Sequence, residues 1–190
     1  MNALVMGDRS DVAQACAQRL REEGMTVVLT SADRSVQDAA ELAPSGLDVL
    51  VTCPEMRFDG SIEETPEAVF RELLAVNLSA VFRLGRECFG AMRERGGGSM
   101  IHIASDAGIR AEHGTAAFSV MSAGVIAVAE LFAAEGAPHR IRSNAVCPRP
   151  GTDVAAAVAW LASQESAHVS GATLRVDGAA GAAMVLDTRV

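Results

Sequence analysis

A strand-like run that leads into a long apolar segment constrains the fold of this 190-residue chain more than any other stretch. Residues 100–104 (MIHIA) have the length and apolar character of a buried strand, and Ser105 follows at its end. After a polar loop, residues 114–134 are almost free of charge, which predicts a helix that is apolar on every side. We expect a sheet against one side of this helix and a partner subunit against the other, with burial inside its own domain as the alternative.

The first thirty residues alternate between predicted strands and a predicted helix. Residues 2–6 (NALVM) and 26–30 (TVVLT) are apolar enough for strands, Gly7 marks a turn, and a helix is predicted from about Ser10 to Glu23. This order is typical of a parallel sheet with helices on its faces. Further strands are predicted over 47–52, 140–147 and 172–177, and further helices over about 35–42, 67–95 and 153–163.

The segment from Ser105 to Ser122 resembles the active-site segment of the short-chain dehydrogenase/reductase family. In that family a serine at a strand end lies thirteen residues before a helical tyrosine, and a lysine lies four residues after the tyrosine. Here Ser105 is present, Phe118 stands at the tyrosine position and Ser122 at the lysine position, while Asn77 matches the family's helical asparagine.

The resemblance extends over nearly the whole chain. It implies an α/β fold with a truncated Rossmann-like doubly wound parallel sheet, in one domain over residues 1–190. Two deletions, one near residues 31–46 and one after Pro148, imply that one edge strand and the family's substrate lid are missing.

The residues at 118 and 122 remove the groups that would move a proton in this family. A phenol passes a proton to or from a substrate oxygen when a nearby cation lowers its pKa, but Phe118 has no ionisable proton and Ser122 carries no charge. The chain contains no tyrosine that could replace them. We therefore expect Asn77, Ser105, Phe118 and Ser122 to be vestigial positions, and the chain to be no enzyme on its own.

The turn after the first strand is altered as well. The family's three glycines correspond to Gly7, Asp11 and Ala13. Glycine lets the backbone approach a pyrophosphate closely, whereas Asp11 places a carboxylate there, and an acid in the first turn also stabilises a helix without any ligand. Residues 52–55 (TCPE) stand where the family has Asn-Asn-Ala-Gly. The prediction is a degenerate loop, no cofactor in this chain, and NAD bound by a partner subunit.

Composition limits the other function classes. The net charge of −8 and the pI near 5.0 disfavour binding to nucleic acid or to an anionic membrane. The four cysteines are widely spaced without histidine near them, so no metal site is predicted. The sequence shows neither a basic leader nor a predicted membrane span, which favours a cytoplasmic location.

Together these patterns predict a non-catalytic subunit that assembles with an intact NAD-dependent short-chain dehydrogenase, similar to the truncated subunit of heteromeric hydroxyacyl-CoA dehydrogenases. The resemblance implies contacts through helices 67–95 and 115–135 and through the C-terminal strand, in a heterotetramer. Two alternatives stay open. One is a stand-alone ligand-binding or regulatory protein on the same fold. The other is an enzyme of non-redox chemistry that uses Ser105 with His102 or His113 as its base.

Overall fold

Six parallel strands form one sheet in the computed structural model, which describes residues 1–33, 38–39, 41, 46–149 and 151–180. The strands lie in the order β2-β1-β3-β4-β5-β6, with β2 and β6 at the edges. Their bounds are β1 Asn2–Met6, β2 Thr26–Thr30, β3 Val49–Thr52, β4 Gly98–Ile103, β5 Ile141–Pro148 and β6 Thr173–Val176.

The helices lie on both faces of this sheet. Their bounds are α1 Asp11–Glu22, α2 Glu67–Leu73, α3 Ala80–Arg95, α4 Ala116–Gly136 and α5 Val154–Ala162. One core joins α1 and α5 to one face, and a second joins α3 and α4 to the other. The central strands β1 and β3 are apolar along their length because both of their faces are covered.

The predicted fold class is confirmed, and the strand and helix bounds within the described residues lie close to those predicted. The described sheet contains no strand beyond β2, so this edge ends where the family would add another strand. β5 ends at Pro148 and α5 begins at Val154, which leaves no room for a substrate lid. The short helix predicted near residues 35–42 falls mostly, and residues 181–190 fall entirely, outside the described part of the chain.

The helix predicted over residues 67–95 is interrupted in its middle. A π-helical turn, Leu74–Ser79, separates α2 from α3. A π turn contains one residue more than an α turn, and such turns are frequent at functional sites. Here the turn contains Asn77, which is buried.

The long helix α4 is covered on one side only by its own domain. Val125 is buried in the core, whereas Val120 and Leu131 are 53% and 44% exposed. By length and composition alone, residues 116–139 could also cross a membrane, but half of this stretch is buried inside the protein. The core helix of a soluble protein has the same length and composition.

The histidine inside β4 is completely buried. His102 Nδ1 lies 2.9 Å from Thr52 Oγ1, and its ring stacks on Phe132 with 5.9 Å between centroids. Burial lowers the pKa of His102 to about 4. The unfolded chain, with a histidine pKa of about 6.5, therefore binds this proton at a higher pH than the folded chain.

Acidification from pH 6.5 to 4 should therefore cost stability through His102. Because the unfolded state takes up the proton first, this residue should lower the free energy of unfolding by about 3 kcal/mol across that window and have no such effect above it. Urea denaturation at a series of pH values would measure the slope for the wild type and for His102→Gln. Exposed His113→Gln is the control, and equal slopes in the wild type and His102→Gln would contradict the assignment.

Candidate functional site

The candidate site is a cavity of about 310 Å³ at the carboxyl ends of the central strands. Open parallel sheets bind their ligands at this edge. Residues from five places in the chain form its wall: Ser10, Val12, Pro54, Glu55, Met56, Arg57, Ile103, Ala104, Ser105, Phe118, Pro148, Arg149, Gly151, Thr152 and Val154.

Ser105 lies directly after β4, in extended conformation, and begins a 3₁₀ turn over Asp106–Gly108. Its Oγ accepts a hydrogen bond from the Ala107 N–H at 3.2 Å. The hydroxyl is therefore held at the cavity wall with its own proton still available for donation. The two histidines considered as its base do not help: His102 contacts Thr52 and Phe132 instead, and His113 is exposed in a loop. The geometry gives no support to serine-based non-redox chemistry.

Phe118 faces the same cavity from the first turn of α4. The guanidinium carbon of Arg57 lies 4.7 Å from the centre of the Phe118 ring, which is a cation–π contact. Arg57 also pairs with Asp59 at 2.9 Å. Phe118 therefore anchors a cation at the place where the family has a phenol.

Ser122 lies one helical turn beyond Phe118 and does not reach the cavity. It is fully buried, and its Oγ has no hydrogen-bond partner among the described residues. The 3₁₀ turn packs directly on it, since a Cβ added to Gly108 would lie 2.6 Å from the Ser122 carbonyl carbon. The structure thus brings Ser105 and Phe118 together and leaves Ser122 outside.

Asn77 lies behind the site and fixes the loop after β3. Its Oδ1 accepts hydrogen bonds from the N–H groups of Glu55 and Met56, at 2.9 and 3.1 Å, and its Nδ2 donates to the Met56 carbonyl at 2.6 Å. The amide bonds backbone groups of a loop that is distant in the sequence. Asn77 is a positioning residue for two cavity residues, Glu55 and Met56.

The turn after β1, predicted to be a degenerate nucleotide loop, is hydrogen-bonded to the end of β2. Gly7 has φ +118°, and a Cβ there would lie 3.0 Å from the Cβ of Cys53, so glycine is required. The N–H groups of Gly7 and Asp8 both donate to the Thr30 carbonyl, at 2.8 and 3.2 Å. Ser10 is the N-cap of α1 by backbone geometry, but its side chain makes no capping hydrogen bond.

The other two loop positions differ in exposure. Ala13 is fully buried in the core between α1 and the sheet, so a larger side chain would not fit there. Asp11 occupies the first turn of α1 and is exposed. A carboxylate at that place complements the helix dipole and repels a phosphate.

Sequence reasoning missed a group of ion pairs beside Ser105. Asp106 is buried and pairs with Arg149 at 3.4 Å and with Arg175 at 2.9 Å. Arg149 also lies 3.7 Å from Glu112. The only sequence signal was the position of Asp106 directly after Ser105. Among the described residues, no cluster of His, Cys, Asp and Glu side chains could hold a metal ion.

A doubly wound sheet with its crevice above the first strand–helix turn defines the class of nucleotide-binding α/β proteins. Residues 32–160 match the family described as short chain dehydrogenase. The chain belongs to the short-chain dehydrogenase/reductase family.

Named relatives agree with this assignment. Nodulation protein G of Rhizobium sp. (strain N33) is 33% identical over 180 residues, which cover 80% of this chain and 73% of the relative. Acetoacetyl-CoA reductase of Allochromatium vinosum is 27% identical, covering 87% and 82%. A crystal structure of a short-chain dehydrogenase/reductase from Burkholderia xenovorans superposes with a TM-score of 0.89 over 95% of this chain and 96% of that one, at 23% identity, which shows the common fold.

The comparisons overturn one prediction. The expectation that this chain is no enzyme on its own, and an inactive subunit, is wrong, because its relatives are named as oxidoreductases such as acetoacetyl-CoA reductase. The expectation rested on the altered first turn, residues 52–55, the residues at 118 and 122 and the missing lid, whereas the similarity to oxidoreductases spans most of the chain.

The family binds NAD or NADP, but the backbone groups of this chain that would hold such a ligand are already bonded within the protein. The N–H groups of Gly7 and Asp8, which would face a pyrophosphate, are bonded to Thr30. The N–H of Ala32, just beyond β2, donates to the carboxylate of Glu55 at 3.0 Å. In this conformation the residues present do not fit a dinucleotide.

Proposed function

We propose that this chain is an oxidoreductase subunit that assembles with a second, intact short-chain dehydrogenase, and that the assembly interconverts 3-oxoacyl and 3-hydroxyacyl thioesters. NAD is held by the partner subunit, and the complex is a cytoplasmic heterotetramer. The thioester class follows from the similarity to acetoacetyl-CoA reductase. Within that class, 2-(α-hydroxybenzyl)succinyl-CoA, an aromatic hydroxyacyl thioester of anaerobic toluene breakdown, is the first substrate to test.

One observation carries the proposal: an exposed apolar surface on the helices behind the site. Phe82 of α3 is 40% exposed, and Val120 and Leu131 of α4 are 53% and 44% exposed. We call this the α3/α4 face; it consists of Phe82, Val120, Ala123, Ala127 and Leu131. Apolar side chains that line up on neighbouring helices mark a protein–protein contact.

The α3/α4 face is tied to the site through its own helices. α4 presents Phe118 to the cavity and Val120 to solvent two residues later, and α3 continues from the π turn that contains Asn77. A subunit bound to this face would therefore support the helices that position the site. The edge strand β6 offers a second surface for contact.

The site itself favours shared chemistry. Ser105 can donate a hydrogen bond to a substrate carbonyl, but Phe118 and Ser122 supply neither a phenol nor an ammonium. A partner with both groups would complete the set of proton-transferring residues in the assembly. Purification from the native host, followed through each column by NADH-dependent reduction of acetoacetyl-CoA, would test this. We expect activity, this chain and one second dehydrogenase to elute together in fixed ratio; a homo-oligomer without activity would contradict the proposal.

Charges on the α3/α4 face should separate the subunits. Val120→Asp combined with Leu131→Asp should weaken association at least about 100-fold, because two carboxylates would lose their water at an apolar interface. Analytical ultracentrifugation of the purified complex would measure the change. Ile62→Asp, which alters an 85% exposed apolar residue outside this face, is the control. If the double variant assembles as well as the control, the face is not the interface.

A further inference from the structure

We propose that Glu55 closes the nucleotide groove of this chain from within, so that the groove is an adenosine-nucleotide site covered by the protein's own carboxylate. The inference is independent of the proposed assembly, because it concerns the ends of β1, β2 and β3 and not the α3/α4 face. The contact between Glu55 and Ala32 explains why the chain has the nucleotide groove of its family and yet does not fit a dinucleotide.

Glu55 lies where a dinucleotide would cross the sheet edge. In doubly wound sheets a dinucleotide crosses the first strand–helix turn, and residues just beyond the second strand hold its adenosine ribose. In this chain that turn is Gly7, and the residue beyond β2 is Ala32. Glu55 follows β3, which lies on the other side of β1 from β2. Its Oε1 accepts a hydrogen bond from the Ala32 N–H at 3.0 Å, across the end of β1. The side chain therefore spans the gap that a nucleotide would cross.

The carboxylate is held at both oxygens. While Oε1 is bonded to Ala32, Oε2 accepts from Arg9 Nη2 at 3.2 Å. The Glu55 side chain is only 1% exposed, whereas that of Arg9 is 73% exposed. A buried carboxylate without such partners would be strongly disfavoured, so these two contacts are what make the buried position stable.

The backbone beneath Glu55 is fixed as well. Asn77 accepts from the N–H of Glu55 and brackets Met56 with a second pair of hydrogen bonds. Glu55 therefore cannot swing out by a movement of its loop without breaking three buried contacts. Its side chain could leave only by rotation, which would expose the Ala32 N–H and open the groove.

The negative charges near the groove also disfavour a nucleotide, as the position of the Glu55 side chain does. Asp8 lies in the turn after β1 and Asp11 in the first turn of α1, and Arg9 has the one basic side chain among the first eleven residues. A pyrophosphate entering here would meet carboxylates, and a phosphate near Glu55 would compete for the same arginine. With Glu55 removed, Arg9 and the Ala32 N–H would both become available to an anionic nucleotide.

The space that remains is small. The cavity of about 310 Å³ lies at the low end of ligand pockets, roughly 300–1,000 Å³, and Glu55 itself forms part of its wall. It adjoins Ser105 and Phe118, which is the substrate side of the groove. The adenosine side is the part that Glu55 covers.

Removal of the side chain should open the site. Titration with NADH, followed by its fluorescence, and with ADP, followed by calorimetry, would compare wild type and Glu55→Gly. We expect the glycine variant to bind both probes at least about tenfold more tightly than the wild type. Binding of ADP would show that the adenosine side has opened, and it needs no enzymatic activity as a readout.

Two further variants make the test specific. Glu55→Gln keeps the length and an oxygen for Ala32, so it should stay closed, while Asp59→Ala removes a nearby exposed acid and should bind like the wild type. Glu55→Ser, too short to reach Ala32, replaces the glycine variant if thermal denaturation shows the latter to be unfolded. The inference is overturned if wild type binds ADP as tightly as the opened variants, or if folded opened variants bind no better than Asp59→Ala.

Discussion

Ser122→Lys should destabilise the chain by at least about 4 kcal/mol, enough to unfold a domain of ordinary stability. Ser122 is fully buried, and its Oγ has no partner among the described residues. A lysine there would start from a position that is already tightly packed, since a Cβ added to Gly108 would lie 2.7 Å from the Ser122 Cβ. Burying such a charge without a counterion costs several kcal/mol.

The neighbouring residue provides the control for this substitution. Ala123 lies on the exposed side of α4, so Ala123→Lys should change the free energy of unfolding by no more than about 0.5 kcal/mol. Urea denaturation of both variants at pH 7 would measure the difference. Equal stability of the two would mean that the lysine reaches water through the cavity, and the described packing of Gly108 on α4 would then be incorrect.

Arg142→Met should cost about 3 kcal/mol. The Arg142 guanidinium donates to the carbonyls of Leu161 at 2.8 Å, Ser163 at 3.2 Å and Val169 at 3.4 Å, and to Ser166 Oγ at 3.1 Å. Burial lowers the pKa of this half-buried arginine. The loss of four hydrogen bonds from a charged donor carries this cost, although the three carbonyls each keep a second donor, from Ser99, Ser166 and Asn144.

A nearby arginine shows whether the loss is specific. Arg140→Met changes an exposed residue just before β5 and should leave stability within about 0.5 kcal/mol of the wild type. Chemical denaturation at pH 7, read by the fluorescence of Trp160, reports both variants, since this tryptophan belongs to α5. A loss below 1 kcal/mol for Arg142→Met would show that water replaces the guanidinium at these carbonyls.

The strands were predictable because their signal is local. β1 and β2 begin and end at the residues predicted, since short apolar runs bounded by turn residues determine them. The π turn was not predictable, because the apolar pattern of residues 67–95 suits an unbroken helix. The turn depends on the bonds of Asn77 to the backbone of Glu55 and Met56, which become visible only when the two segments are adjacent.

The site was predictable in its positions and not in its contacts. Ser105 and Phe118 do share a cavity, as the thirteen-residue spacing implies. The bond of Glu55 to Ala32 was not predictable, because it joins residues that follow two different strands. Composition showed α4 to be apolar and could not say that Val125 faces the core while Val120 faces solvent.

The helix α2, the π turn at Leu74–Ser79 and α3 form one continuous helical rod, and the turn changes which residues face each side of it. One extra residue shifts the facing of every later residue by about 100° relative to an unbroken α-helix of the same sequence. Loss of one residue from this turn would let the rod close to an unbroken α-helix, with Phe82 and α2 still in the same relative orientation. The extra residue therefore serves the loop behind the site, through Asn77, and leaves the outer face of the rod unchanged.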